Sequence, residues 1–259
     1  MYPVLFKIPL FGGVAIHTYG VMVALGFLVG LLWVTKESKR LGQSPAKAMD
    51  LMFYVILSAI VGSRVLHVLV SERDRFFENP LMIFKVWEGG LVFYGGLIGS
   101  LIVSIWYVRK NKMPLFLTCD IFAPAIAIGH AIGRLGCFFA GCCYGRTVDH
   151  EAWYALVFPS GVNSFAPSGV FLYPTQLGES LGELIIFCIL VLFRKYKKFD
   201  GQVIAMYLMF YAVLRYVVEL FRGDLDRGFV IDPWLSTSQF ISLVIFISGL
   251  SLYLARRKV

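Results

Sequence analysis

Charge is scarce in this sequence. Only 15% of its 259 residues are Asp, Glu, Lys or Arg, against about 25% in a typical soluble domain. A chain this poor in charge does not supply the water-facing surface of a soluble globule. Internal repeats and low-complexity tracts are also missing, which weighs against a transporter built from duplicated halves. Residues 1–13 carry one lysine, two prolines and a short apolar run, so no cleavable signal peptide is expected. What fills the chain instead is oil. Hydrophobic residues make up 58% of the sequence and the mean hydropathy is +0.75, which together read as an integral membrane protein.

Seven apolar stretches approach the ~20 helical residues that a bilayer core requires: 19–35, 49–70, 91–108, 117–132, 174–193, 202–221 and 238–255. Pro124 and several glycines interrupt the fourth. Lysine and arginine in short loops mark the cytoplasmic side, and fourteen of the twenty-four lie on alternate connections. Lys36, Lys39, Arg40 and Lys47 follow the first stretch, and Arg109, Lys110 and Lys112 the third. Arg194, Lys195, Lys197 and Lys198 follow the fifth, and Arg256, Arg257 and Lys258 the seventh. The other connections hold Lys7, Arg73, Arg75, Lys85, Arg146, Arg222 and Arg227. The expectation is therefore a single all-α polytopic membrane domain over 1–259, with seven transmembrane helices, an extracytoplasmic N-terminus and a cytoplasmic C-terminus. The net charge of +8 is an orientation signal with acidic lipid head groups as a secondary partner, and it makes no case for nucleic acid. Residues 140–173, rich in aromatics and with three prolines, read as a small extracytoplasmic cap.

Three arginines, Arg64, Arg134 and Arg215, fall inside or at the ends of spans, where an unpaired charge costs several kcal/mol. Each needs a partner: a structural carboxylate from Asp50, Asp120, Glu179, Glu183 or Glu219, or a ligand in a wet cavity. Arg215 and Glu219 stand four apart on one helix face and can pair. Facing a cavity, that pair offers an oriented guanidinium suited to phosphate. The glycine-rich run 89–99 around Tyr94 admits two readings, close helix packing or close ligand approach.

Several separated motifs in order resemble the phosphatidylglycerol:prolipoprotein diacylglyceryl transferases of bacterial inner membranes. They are His17-Thr18-Tyr19-Gly20, Gly62-Ser63-Arg64, Trp87-Glu88-Gly89-Gly90, Tyr94-Gly95-Gly96-Leu97-Ile98-Gly99, Asp120-Ile121-Phe122-Ala123-Pro124, Gly133-Arg134-Leu135-Gly136, Gly145-Arg146, Tyr173-Pro174-Thr175-Gln176-Leu177 with Glu179, and Arg215-Tyr216-Val217-Val218-Glu219-Leu220-Phe221-Arg222. The resemblance implies transfer of the diacylglyceryl group of phosphatidylglycerol to the lipobox cysteine of lipoprotein precursors, with glycerol phosphate released and no cofactor or metal. It implies function for Tyr19, Arg134, Gly145, Arg215 and Glu219, with Arg134 and Arg215 as a phosphate clamp. Arg64, Gly95, Gly96, Arg146, Gln176 and Arg222 join as substrate-binding candidates from the same motifs.

The chain departs from the family pattern in three places. Tyr94 stands where well-studied members have histidine, Cys137 where they have asparagine, and Gly141-Cys142-Cys143 where they have an Asn-Gly-Glu type segment. A tyrosine of ordinary pKa ~10 is a poor base at neutral pH. The base is thus either Tyr94 or His130, which lies four residues before Arg134 on one helix face; an ion-paired or packing role for His130 is equally open. Cys137, Cys142 and Cys143 crowd together without a recognisable metal-ligand spacing. Packing, a disulfide and a covalent relay remain alternatives for them. Two further readings stay open: a divergent member with another acceptor, and a membrane thiol oxidoreductase using Cys142 and Cys143.

Overall fold

The computed structural model describes residues 3–8, 14–85, 90, 92–149, 151–159, 164–223, 228–232 and 234–258. Trp87, Glu88, Gly89, Leu91 and Arg227, singled out above, lie outside the described residues. The chain is mostly helical: α1 (Thr18–Arg40), α2 (Pro45–Ser71), α3 (Arg73–Glu78), α4 (Phe93–Lys110), α5 (Leu115–Ala140), α6 (Thr175–Phe193), α7 (Gln202–Glu219) and α8 (Thr237–Arg257). Short antiparallel ribbons join some of them: β1 (Val4–Ile8) with β2 (Val14–His17), β3 (Leu156–Val157) with β4 (Phe171–Leu172), and β5 (Phe229–Ile231) with β6 (Leu235–Ser236).

Among the described residues six helices, α1, α2, α5, α6, α7 and α8, are long and apolar enough to cross a membrane. Leu192 and Ile247 expose well over half of their side-chain surface, as expected where lipid replaces water as the neighbour. The chain is thus a polytopic, all-α membrane protein. The third expected stretch forms a helix, α4, which is not among those six; its last two positions are Arg109 and Lys110, which lower its apolar character.

The fourth stretch reads from sequence as interrupted, and here the structure differs. α5 runs unbroken from Leu115 to Ala140 with Pro124 inside it. Proline removes one N–H and crowds the preceding turn, a cost that packing within a membrane helix can offset. Here the Trp33 indole N–H donates to the Ile121 carbonyl at 3.2 Å in that turn. The helix also extends beyond the predicted end at 132, so that Gly133, Arg134 and Cys137 are helical residues.

Two compact units are distinguishable. In the unit spanning Val34–Thr118, α2 and α4 pack through small residues. A Cβ on Gly96 would come within 2.5 Å of Ser63 Oγ, and one on Gly99 within 2.7 Å of the Ser58 carbonyl. Ser44 caps α2 by accepting from the Lys47 N–H at 3.3 Å.

The other unit joins residues 1–33 to 119–259. α1 meets α5 where Gly26 faces Gly129 and where Tyr19 and Met22 close over Gly136. Ala123, Ala127, Ile186, Leu190, Val203 and Tyr207 form the core between α5, α6 and α7. Asp120 on α5 caps α7 from outside it. Its carboxylate accepts from the Gly201 and Ile204 N–H groups, both at 2.9 Å, and from Lys197 Nζ at 3.1 Å. Sequence reading offered Asp120 as an arginine partner; a helix N-terminus and a lysine occupy it instead. Between α5 and α6 the chain folds around buried Phe158, Ala166 and Leu172.

Candidate functional site

Glu179 lies near the start of α6, and Glu183 follows one turn later on the same face. The two residues are 2% and 0% exposed, so each carboxylate has to be answered by protein groups. Arg134 on α5 donates from Nη2 to Glu179 Oε1 at 2.8 Å, and Arg215 Nη1 on α7 lies 3.9 Å from Glu179 Oε2. One buried carboxylate thus holds two guanidiniums, one at each oxygen.

His130 stands one turn before Arg134 on α5. Its Nε2 accepts from Arg134 Nε at 3.2 Å, and its Nδ1 lies 2.9 Å from Glu183 Oε1. The lone pair a base would use is therefore engaged by Arg134. Tyr211 tilts against the imidazole at 5.6 Å and stacks on Tyr207 at 5.9 Å.

Arg215 pairs with Glu219 one turn along α7, Nη2 to Oε2 at 2.8 Å, and also donates to Ser238 Oγ at 3.0 Å. Glu219 reaches on to Arg222, whose Nε is 4.0 Å away. Arg215 Nη1 is buried, yet it makes no hydrogen bond among the described residues. An unsatisfied buried donor costs about 1–3 kcal/mol, so this nitrogen is set up to receive an acceptor.

The connection after α5 is sewn to its neighbours by backbone. Gly145 N–H donates to the Tyr173 carbonyl at 3.1 Å, Arg146 N–H to the Phe221 carbonyl at 2.8 Å, and Gly223 N–H to the Tyr144 carbonyl at 3.2 Å. Gly145 has no room for a side chain, because a Cβ there would stand 2.5 Å from both the Cβ and the carbonyl oxygen of Tyr173. The Arg146 guanidinium lies over the rings of Tyr173 and Phe221, 5.6 and 5.8 Å from their centroids. At the start of α6, Thr175 Oγ1 donates to the Cys143 carbonyl and Gln176 Nε2 to the Cys142 carbonyl, both at 2.9 Å.

All five cysteines are free thiols. The sulfurs of Cys137, Cys142 and Cys143 lie within 4.8 Å of one another, and Arg134 Nη1 is 4.0 Å from Cys137 Sγ. Hydrogen bonding among these thiols pushes Cys142 up and pulls Cys143 down. Burial adds to the first shift, and the Arg134 and Arg222 cations add to the second.

Of the residues expected from sequence, Arg134, His130, Arg215, Glu219 and Arg222 converge in one cluster. Gln176, Gly145 and Arg146 brace the adjoining connections, and Tyr19 packs on Gly136. Arg64, Tyr94, Gly95 and Gly96 belong to the other unit. There Arg64 is buried and donates from Nη2 to the Met82 carbonyl at 2.8 Å. Tyr94 is half exposed, and Gly95 and Gly96 lie in the α2–α4 contact. Glu179 and Glu183 carry more of the site than sequence reading assigned them. Their signal was two carboxylates at i, i+4 in an apolar helix facing the same side as Gln176.

Comparison with known proteins gives a consistent picture. The sequence model of the family described as prolipoprotein diacylglyceryl transferase matches residues 3–255. A phosphatidylglycerol–prolipoprotein diacylglyceryl transferase of Clostridium tetani (strain Massachusetts / E88) is 35% identical over 257 residues, covering 98% of this chain and 97% of that protein. One from Acinetobacter baumannii (strain SDF) is 35% identical over 243 residues, covering 92% and 88%. The similarly named transferase 2 of Clostridium perfringens (strain 13 / Type A) is 34% identical over 241 residues, covering 93% and 91%.

Proposed function

The chain belongs to the prolipoprotein diacylglyceryl transferase family, and on that premise we propose that it transfers the diacylglyceryl group of phosphatidylglycerol to the lipobox cysteine thiol of lipoprotein precursors. A thioether forms and glycerol phosphate leaves. The enzyme works in the bacterial inner membrane, with α4 as a seventh span beside the six strongly apolar helices, the N-terminus outside and the C-terminus in the cytoplasm.

In this reaction the acceptor sulfur attacks the glycerol carbon that bears the phosphate ester. The C–S bond forms as the C–O bond breaks, and the electron pair of the broken bond stays with the phosphate oxygen. Charge therefore grows on the phosphate, and preorganised guanidiniums at membrane depth stabilise it. The buried, unsatisfied Nη1 of Arg215, held 3.9 Å from the carboxylate that also binds Arg134, is the observation that carries this reading. A carboxylate that bridges two guanidiniums keeps them at a separation a phosphate can bridge too.

Glu179 and Glu219 orient the pair, while Arg222, Arg146, Gln176, Gly145 and Tyr19 shape the surroundings. Arg64, Gly95 and Gly96, in the other unit, stay substrate-binding candidates on their motifs alone. The acceptor proton goes to His130 once Arg134 has turned to the phosphate and freed the Nε2 lone pair; Tyr94 stays the alternative base on its motif position alone, and only as a tyrosinate.

The test incubates purified protein in detergent with phosphatidylglycerol and a lipobox peptide. Glycerol phosphate and a diacylglyceryl-modified thiol are expected from the wild type, and neither from Arg134→Ala or Arg215→Ala. Undiminished product from Arg134→Ala would remove the clamp from the mechanism.

A further inference from the structure

Three sulfurs from one short stretch of sequence meet for a backbone reason. α5 ends in a turn in which the Gly141 N–H donates to the Phe138 carbonyl at 3.2 Å and the Cys142 N–H to the Cys137 carbonyl at 3.1 Å, with Gly141 at φ 73°. This paired pattern is the Schellman helix stop, which folds the residue after the glycine back onto the one five positions earlier. Cys142 is thereby set against Cys137. Cys143 then adopts φ 59°, a left-handed conformation that costs a non-glycine residue about 1 kcal/mol or more, and it brings a third sulfur to the same point. The Gln176 and Thr175 side chains hold the Cys142 and Cys143 carbonyls, so the start of α6 fixes the turn in place.

A tetrahedral zinc ion with Zn–S bonds of ~2.3 Å requires sulfurs ~3.8 Å apart, and these three, all within 4.8 Å, need to close by about 1 Å at most. A disulfide, at ~2.05 Å between sulfurs, asks for a larger movement and leaves one thiol over. Among the described residues no fourth histidine, cysteine or carboxylate joins the group, and all three cysteines are partly exposed. Three protein ligands with an open position are the pattern of a working rather than a purely structural zinc site. The Arg134 guanidinium, 4.0 Å from Cys137 Sγ, offsets the negative charge of a three-thiolate zinc centre and links it to the phosphate-holding cluster.

We infer that Cys137, Cys142 and Cys143 bind Zn²⁺ as three thiolates and that the acceptor cysteine of the precursor takes the fourth position. This rests on the transferase reading and gives it a route to the acceptor thiolate that needs neither Tyr94 nor His130 as base. A thiol bound to zinc is deprotonated outright, and its proton passes to solvent. The bound thiolate then attacks the glycerol carbon, the C–O bond breaks toward phosphate, and the neutral thioether, a poor zinc ligand, is released. No oxidation state changes.

The experiment uses the full-length protein in detergent. Zinc reconstitution should give about one ion per chain by elemental analysis, abolished in Cys137→Ser, Cys142→Ser and Cys143→Ser and kept in Cys188→Ser. Co²⁺ in its place should give a tetrahedral thiolate absorption spectrum that shifts when a lipobox peptide is added, but not when its cysteine is replaced by serine. Chelation should lower lipid transfer at least ~100-fold, the scale of a lost general base, and zinc should restore it. A wild-type protein that binds no zinc or cobalt overturns the site whatever the serine variants do. Full transfer after complete metal removal overturns its role in thiol presentation and leaves the transferase reading standing. Zinc bound, with the peptide-dependent shift, but no lipid transfer under any condition, would count against the transferase reading instead.

Discussion

At the scale of single residues, the distinction between arginine and lysine is the sharpest probe of the cluster. Arg134 makes three directed contacts at once, to Glu179, His130 and Cys137, and Arg215 reaches Glu219, Ser238 and Glu179. A lysine keeps the charge but offers one compact point instead of a planar fork. Arg134→Lys and Arg215→Lys should each lower kcat/KM for lipid transfer by about 10- to 150-fold, the equivalent of one charge-assisted hydrogen bond worth ~1.5–3 kcal/mol. Steady-state kinetics on both variants checks this, and near-wild-type values would show that charge alone suffices. Gly145 poses a steric question. Its missing side chain leaves room for Tyr173 and the Phe221 carbonyl, so Gly145→Ala should destabilise the fold by ~1–3 kcal/mol, read as a lower thermal unfolding midpoint in detergent.

At the scale of elements, α5 does most of the positioning. It carries Asp120 near its start and His130, Arg134 and Cys137 toward its end. The pattern predicts a broken span here, because proline and glycine are read as helix breakers. Within the folded unit, Gly129 and Gly136 are instead the places where α1 approaches α5, and a bond from Trp33 tends the proline turn. Asp120 fixes how α7 begins, since its carboxylate takes the N–H groups of Gly201 and Ile204 and pairs with Lys197. Removing one member of such a buried pair costs ~3–5 kcal/mol. Asp120→Ala should therefore loosen α7, and with it Arg215 and Glu219. Faster amide hydrogen exchange at the start of α7 is the expected signature, and unchanged exchange there would leave the cap without energetic weight.

At the scale of the whole molecule, the distribution of lysine and arginine gives a test of topology. With alternate connections cytoplasmic, single cysteines introduced at Lys112 and at Lys258 should be shielded from a membrane-impermeant maleimide in intact cells, and one at Trp153, 96% exposed in the structure, should react. Labelling at Lys112 or Lys258 in sealed cells would reverse the orientation. The sequence by itself determined that the chain is a polytopic helical membrane protein, because hydropathy and the period of apolar residues are local properties that every window displays. It also pointed to the family, through its ordered motifs, and singled out the arginines that fall inside apolar spans, because a charge there announces itself. The spacing already allowed Arg215 to pair with Glu219 and His130 to stand beside Arg134; only the tertiary structure decided that Glu179 meets both Arg134 and Arg215, that His130 also faces Glu183, and that three cysteines share one point. Those facts depend on the angle at which α5, α6 and α7 pack and on a left-handed turn at Gly141 and Cys143; a glycine is a helix-stop signal, but Gly133, Gly136 and Gly141 all offer it, and packing rather than residue order selects the last.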